Sequence, residues 1–154
     1  MRRQDRAIEN TEEIISVLEK CDTLSIGFHG EAYPYVVPVS FGFVRKGDSI
    51  LIYFHGAKQG QKIDCIESDP RVCVEGHVFH KVEPTQGGIT TRYESFIGFG
   101  VVEKADANET VLGLRSIVAH NQRSDHPIEN CKGLSMTAVY KITVERFTGK
   151  RNLP

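Results

Sequence analysis

The chain has 154 residues, 40% of them hydrophobic and 25% charged, ordinary values for one globular domain over residues 1–154 with no room for a second full core. Lys and Arg number 19 against 20 Asp and Glu, so no long-range field gathers a polyanion and no nucleic-acid partner is expected. No window approaches the roughly 20 apolar residues of a membrane span, and Met1-Arg2-Arg3-Gln4-Asp5 is not followed by the apolar run of an export signal, so the expectation is no membrane and a cytoplasmic location.

In chain order, Asn10-Thr11-Glu12-Glu13 has the form of a capping box. Ile14, Ile15, Leu18 and Cys21 follow at helical spacing, which predicts a first helix of about three turns. The period then becomes two. Leu24, Ile26 and Phe28 predict a strand that breaks at His29-Gly30-Glu31, and Tyr35, Val37, Val39, Phe41 and Phe43 predict another. Lys46-Gly47-Asp48 turns the chain into a third strand over residues 50–54, so an antiparallel meander is expected. Pro38 lies inside the second strand and has no N–H for a ladder, which is tolerated at an edge, at a bulge or beside something other than a paired strand, so an irregular ladder is expected there.

A short helix is predicted over residues 62–67, stopped by Asp69-Pro70, with strands resuming at Arg71-Val72-Cys73-Val74 and again over residues 93–103. Asp106-Ala107-Asn108-Glu109 is a second capping box, opening a helix with Val111, Leu114 and Val118 as its apolar stripe and an end near Asn121. Residues 122–133 are polar and read as a loop, and residues 136–144 alternate as a final strand. The sum is an α+β, mainly β domain: an antiparallel sheet or barrel with a few short helices.

The four cysteines, Cys21, Cys65, Cys73 and Cys131, form no CxxC pair and read as reduced thiols. His77 and His80 lie near Glu75 and Glu83, but side chains three apart on a strand face opposite sides, so no metal site is expected. His120 suits a helix C-terminus, while His126 falls in the loop. Arg146 and Lys150 read as solvated cations.

The informative stretch is Tyr53-Phe54-His55-Gly56-Ala57-Lys58-Gln59-Gly60-Gln61-Lys62, where a strand passes into a helix. Unsatisfied N–H groups at a helix start favour an anion, and Gly56 and Gly60 allow close backbone approach. Lys58 and Lys62 would neutralise a phosphate monoester if the segment between them turns. A solvated helix start with ordinary surface lysines is the other reading. A Walker motif is absent, since no GK[ST] stands at the required spacing.

Taken together, Tyr33-Pro-Tyr-Val-Val-Pro38-Val-Ser40, Ile52-Tyr-Phe-His55-Gly-Ala-Lys58-x-Gly60-x-Lys62, Asp69-Pro70-Arg-Val and Tyr93-Glu-Ser95-Phe-Ile-Gly98-Phe-Gly100 resemble the pyridoxamine 5′-phosphate oxidase-like FMN-binding split β-barrels, most closely their nitroimidazole-resistance branch. The resemblance implies a homodimer with FMN at the subunit interface. It implies that Pro38, Val39 and Ser40 offer backbone to the flavin ring, that Ala57, Lys58, Gly60 and Lys62 cradle the phosphate, and that His55 lies near the cofactor. Tyr93 and Ser95 of the partner would close the site.

The function so implied is an FMN-dependent oxidoreductase acting on a small-molecule substrate, a flat electrophile such as a nitroaromatic, with His55 as proton supply. A flavin-binding module without turnover and a haem-binding split barrel are the alternatives. The chain departs from true pyridoxamine phosphate oxidases in having no tryptophan and in ending Thr148-Gly-Lys-Arg-Asn-Leu-Pro154, which disfavours vitamin B6 oxidation.

Overall fold

The computed structural model describes residues 3–47, 49–121, 127–128 and 136–154; Cys131, His126 and most of the predicted loop lie outside them. After a 3-10 turn at Gln4–Arg6 come β1 (Ala7–Ile8), α1 (Thr11–Lys20), β2 (Leu24–Phe28), β3 (Tyr35–Val39), β4 (Phe41–Lys46) and β5 (Ser49–Ala57). Then follow α2 (Gln61–Ser68), β6 (Arg71–Thr85), β7 (Gly88–Lys104), α3 (Ala107–His120) and β8 (Thr137–Asn152).

All strands pair antiparallel in one sheet of order β3-β2-β6-β7-β8-β5-β4, with β1 added to β8. The strands at the two ends of that order, β3 and β4, are joined through Ser40 alone. A one-residue link cannot cross an open seven-strand sheet whose strands are spaced ~4.8 Å apart, so the sheet rolls up. The result is a barrel split along the β3–β4 seam, a mainly β, α+β fold. Leu24, Ile26, Phe41, Ile52, Phe54, Val74, Phe96 and Ile142 fill it, and α1 adds Val17 and Leu18.

The predicted meander is therefore corrected. Tyr35 to Phe43 alternate without a break because β3 and β4 both turn their odd-numbered residues toward the same core. Burial period alone does not separate one strand from two that meet at a seam. Pro38 is on an edge strand, as expected, but the β2–β3 register runs through Ser25↔Pro38 without a shift. An edge strand needs donors on one side only, so the proline leaves the ladder intact.

The N-caps divide in an informative way. Asn10 Oδ1 accepts from the Glu12 and Glu13 amides at 2.8 and 3.3 Å, while Glu13 pairs with Arg151 at 2.9 Å instead of returning to close the box. Asp106 and Glu109 form the complete box on α3. The buried face of α3 centres on Gly113 and Ile117; of the predicted stripe Leu114 packs beside them and Val118 is half-buried, but Val111 is exposed. The helix lies so close to the sheet that a Cβ at Gly42 would stand 2.2 Å from the Ser116 carbonyl carbon.

Strands β6 and β7 are far longer than predicted, pairing without interruption of partnership as far as Thr85↔Gly88 apart from a bulge at His80. β8 likewise continues past Val144, because Glu145 is an extra residue opposite Phe99 and Gly100 that breaks the alternation. Among the described residues no helix is long and apolar enough to cross a membrane.

Candidate functional site

The seam gathers most of the residues singled out by sequence. Pairing of β4 with β5 stops at Phe41↔Phe54, whereas pairing of β8 with β5 continues through His55↔Val139 to Ala57↔Thr137. Residues 55–57 therefore have one edge without a strand. One step past the Phe41↔Phe54 pair lie Ser40 and His55, so Val39 and Ser40 approach that open edge. Main-chain donors and acceptors on such an edge need partners from solvent or a ligand.

Beyond Ala57 the chain turns through Lys58, Gln59 and Gly60 into α2. Gly60 is the N-cap at φ +118°, a conformation open to glycine, and its carbonyl accepts from the Ile63 and Asp64 amides at 2.7 and 3.2 Å. The amides of Gln61 and Lys62 precede the first intrahelical bonds, and no side chain caps them. The other two α-helices do have side-chain caps, Asn10 and Asp106.

Lys62 occupies the second helical position, where the helix dipole disfavours a cation. Its Nζ lies 5.2 Å from the Phe54 ring centroid and folds over Gly56, where a Cβ would meet it at 2.6 Å. Burial pushes the Lys62 ammonium below its ordinary pKa. The chain has thus placed a partly desolvated cation beside a helix start that already favours negative charge. An anion resolves both.

The structure also separates residues that are adjacent in sequence. Lys62 covers the Gly56 side of β5, the face that carries Phe54 into the core. His55 takes the opposite face, with Tyr53 and Leu51, and is exposed. Tyr93 and Ser95 are not at the seam at all. Ser95 pairs with Lys150 and His55 with Val139, so they are eleven positions apart along β8, roughly 35 Å of strand.

The surface bearing Tyr93 and Ser95 is the outer face of the sheet, and it holds what the sequence reading missed. A cavity of about 570 Å³ opens there, lined among others by Tyr33, Arg71, Cys73, Phe99 and Arg146. Arg146 is exposed, as expected, and its Cζ lies over the Phe99 ring, 4.5 Å from the centroid. Arg71 is bound by Asp69 at 2.6 Å, which holds the Asp69 carboxyl below the ordinary range. Only the register of β6, β7 and β8 brings these residues together.

Among the described residues, His77, His80 and His120 make contacts within the fold. His120 Nε2 donates to the Cys21 carbonyl at 2.7 Å and packs on Phe41. It joins α3 to the end of α1 rather than capping its own helix. His77 meets Glu75 on the outer face, while the bulge turns His80 to Glu94 on the core side. Cys21 and Cys65 are buried free thiols, and burial pushes Cys21 up to about 12.

The sequence profile of the pyridoxamine 5′-phosphate oxidase family matches residues 10–151. The chain belongs to that family. Among solved structures, a candidate 5-nitroimidazole antibiotic resistance protein from Bacteroides thetaiotaomicron is similar at 28% identity and TM-score 0.80, over 94% of this chain and 85% of that one. A FAD-binding protein from Mesorhizobium loti shares the fold at 18% identity and TM-score 0.67, over 96% and 98% of the two chains. A FAD- and haem-binding protein from Mycobacterium smegmatis shares it at 15% identity and TM-score 0.74, over 97% and 74%. No curated protein matches the chain significantly in sequence.

Proposed function

We propose that this member of the pyridoxamine 5′-phosphate oxidase family binds FMN at the barrel seam and reduces a small, flat electrophile, a nitroaromatic being the substrate class. The observation that carries the cofactor assignment is the start of α2: an N-terminus without a side-chain cap, with Lys62 desolvated in its first turn. The chain's own residues fit the group. Gly60 and the Gln61 and Lys62 amides would receive the phosphate, with Lys62 and Lys58 supplying charge. Val39, Ser40 and the open edge of residues 55–57 offer backbone to a polar ring edge.

When bound, the flavin supplies the electron and hydride chemistry. The protein's part is to hold the phosphate, to orient the ring along the open edge, and to present His55 as a proton holder from the exposed face. The similarity to the Bacteroides protein supports the nitroaromatic class. Because Tyr93 and Ser95 lie on β7 opposite the far end of β8 from the seam, they would reach a flavin only on a second copy, so the reading includes a homodimer in the cytoplasm.

FAD or haem in place of FMN is a second reading, supported by the fold's occurrence in proteins that bind them. The absorption spectrum of the purified protein separates these: a flavin band near ~450 nm or a haem Soret band. Chromatography of the released chromophore distinguishes FMN from FAD.

Lys62→Ala should weaken FMN binding by about 1.5–3 kcal/mol, the worth of a charge-assisted hydrogen bond. The apoprotein should lose little stability, because the half-buried ammonium it removes is partly desolvated, which offsets its contact with the Phe54 ring. Equal FMN affinity in wild type and variant overturns the phosphate assignment. His55→Ala should retain FMN while nitro-reduction falls about 10²-fold, the low end of what general acid catalysis supplies. Full activity of that variant across the pH range removes His55 from proton transfer.

A further inference from the structure

The outer face of the sheet carries a row of residues that takes no part in the proposed flavin site. Gly27 pairs with Cys73, Cys73 with Phe99 and Phe99 with Arg146, so four strands set them side by side on one face. They line the cavity of about 570 Å³, a volume in the range of small-molecule sites. Arg146 is seven positions along β8 from Val139, the partner of His55, roughly 23 Å of strand from the seam.

The walls are aromatic and the floor is open. Phe99 is 38% and Tyr33 81% exposed. Tyr33 stands on the β2–β3 connection, where Pro34 restricts it to extended backbone. Gly30 packs against it so closely that a Cβ there would stand 2.3 Å from the Tyr33 carbonyl oxygen. At Gly27, by contrast, a Cβ would meet nothing nearer than the Cys73 carbonyl oxygen at 3.6 Å. Burial, with Glu75 nearby, pushes the Cys73 thiol above its ordinary pKa, so it lines the floor as a neutral group.

The charges around the cavity divide into spent and unspent. Arg71 holds Asp69 at 2.6 Å, and His29 acts on the same carboxylate. Arg146 has the Phe99 ring as its partner and, among the described residues, no ion pair. Glu145, the extra residue of the β8 bulge beside it, has none either. A guanidinium over a ring face keeps N–H donors for a carboxylate, which it can bind through two bonds at once. One unspent cation next to one unspent carboxylate suits a ligand with a single negative charge and works against a dianion.

We propose that this cavity binds a planar aromatic monocarboxylate, its ring between Tyr33 and Phe99 and its carboxylate on Arg146. The test titrates benzoate into the ¹⁵N-labelled full chain as purified and follows the amide signals of Gly27, Cys73 and Phe99. Saturable shifts at these amides are expected, with weaker binding of benzamide, which has the ring without the charge, and of phthalate, a dianion at neutral pH. No saturable shifts, as when a second copy buries the cavity, overturn the proposal, and so do shifts confined to other residues. Benzamide or phthalate binding as tightly as benzoate also overturns it. Arg146→Gln, at an exposed position, should weaken benzoate about tenfold or more, the scale of a lost charge-assisted hydrogen bond, and abolish its advantage over benzamide. Gly27→Val, a strand-compatible substitution that places methyl groups in the cavity, should block binding. Benzoate affinity unchanged in Arg146→Gln, or in folded Gly27→Val, removes the ligand from this cavity.

Discussion

Glu94, 4% exposed, is the buried charged residue of the described chain, and its surroundings show how a single carboxylate can secure a fold. Lys20 donates to both of its oxygens at 3.0 and 3.1 Å, and His80 Nε2 donates to Oε2 at 3.1 Å. Burial pushes the carboxyl pKa up, but the hydrogen bonds and charges of Lys20 and His80 outweigh it, and Glu94 sits below its ordinary value. It therefore binds its proton more weakly folded than unfolded. The stabilisation is complete above the ordinary glutamate value of ~4.3 and is lost as pH falls through the lowered folded value. Glu94→Gln should cost about 1.5–3 kcal/mol at pH 7, the range for hydrogen bonds to a charged group. In urea unfolding the gap between wild type and variant should close on acidification below pH ~4; a gap that persists there would assign the stabilisation to packing. Nothing in the sequence marks this residue, because Glu94 stands in an outwardly polar run and its partners come from α1 and from a bulge.

Elements were legible where one face was buried and the period was regular. α1, β2 and α2 fall within a residue or two of expectation for that reason, β5 runs three residues past its expected end, and Asn10 and Asp106 announce two helix starts. The misses have specific causes. Ser40 divides two strands whose burial period is continuous, so the barrel seam is silent in the pattern. Residues 79–92 are largely exposed on both faces, so no alternation reports their strands. Gly113 marks the packing face of α3 by having no side chain, which hydropathy cannot register, and Tyr53 and Val139 fill the space it leaves. The turn at residues 55–62 was visible as an anion cradle. That His55 and Lys62 stand on opposite faces of β5 was not, since it depends on where the strand ends and how Lys62 folds back.

At the scale of the whole molecule, the two halves of the resemblance cannot meet within one chain. The seam and the Tyr93–Ser95 surface are eleven positions apart along β8, and the continuous β5–β8–β7 pairing offers no hinge to bring them together. Two copies related by a twofold axis can satisfy both sites at once, each lending its outer face to the other's seam. Flavin binding and dimerisation are then one linked equilibrium: flavin stabilises the dimer, and dilution of the protein releases flavin. The apparent FMN affinity should rise with protein concentration until the dimer is saturated, and sedimentation should give a flavin-loaded species of twice the chain mass. At free FMN about 100-fold above its Kd the complex gains ~2.7 kcal/mol, which for a domain of this size raises the melting temperature by roughly 5–10 °C. A flavin-loaded species sedimenting at the mass of one chain, with an affinity independent of protein concentration, would place the whole site on a single barrel and leave Tyr93 and Ser95 without a part in it.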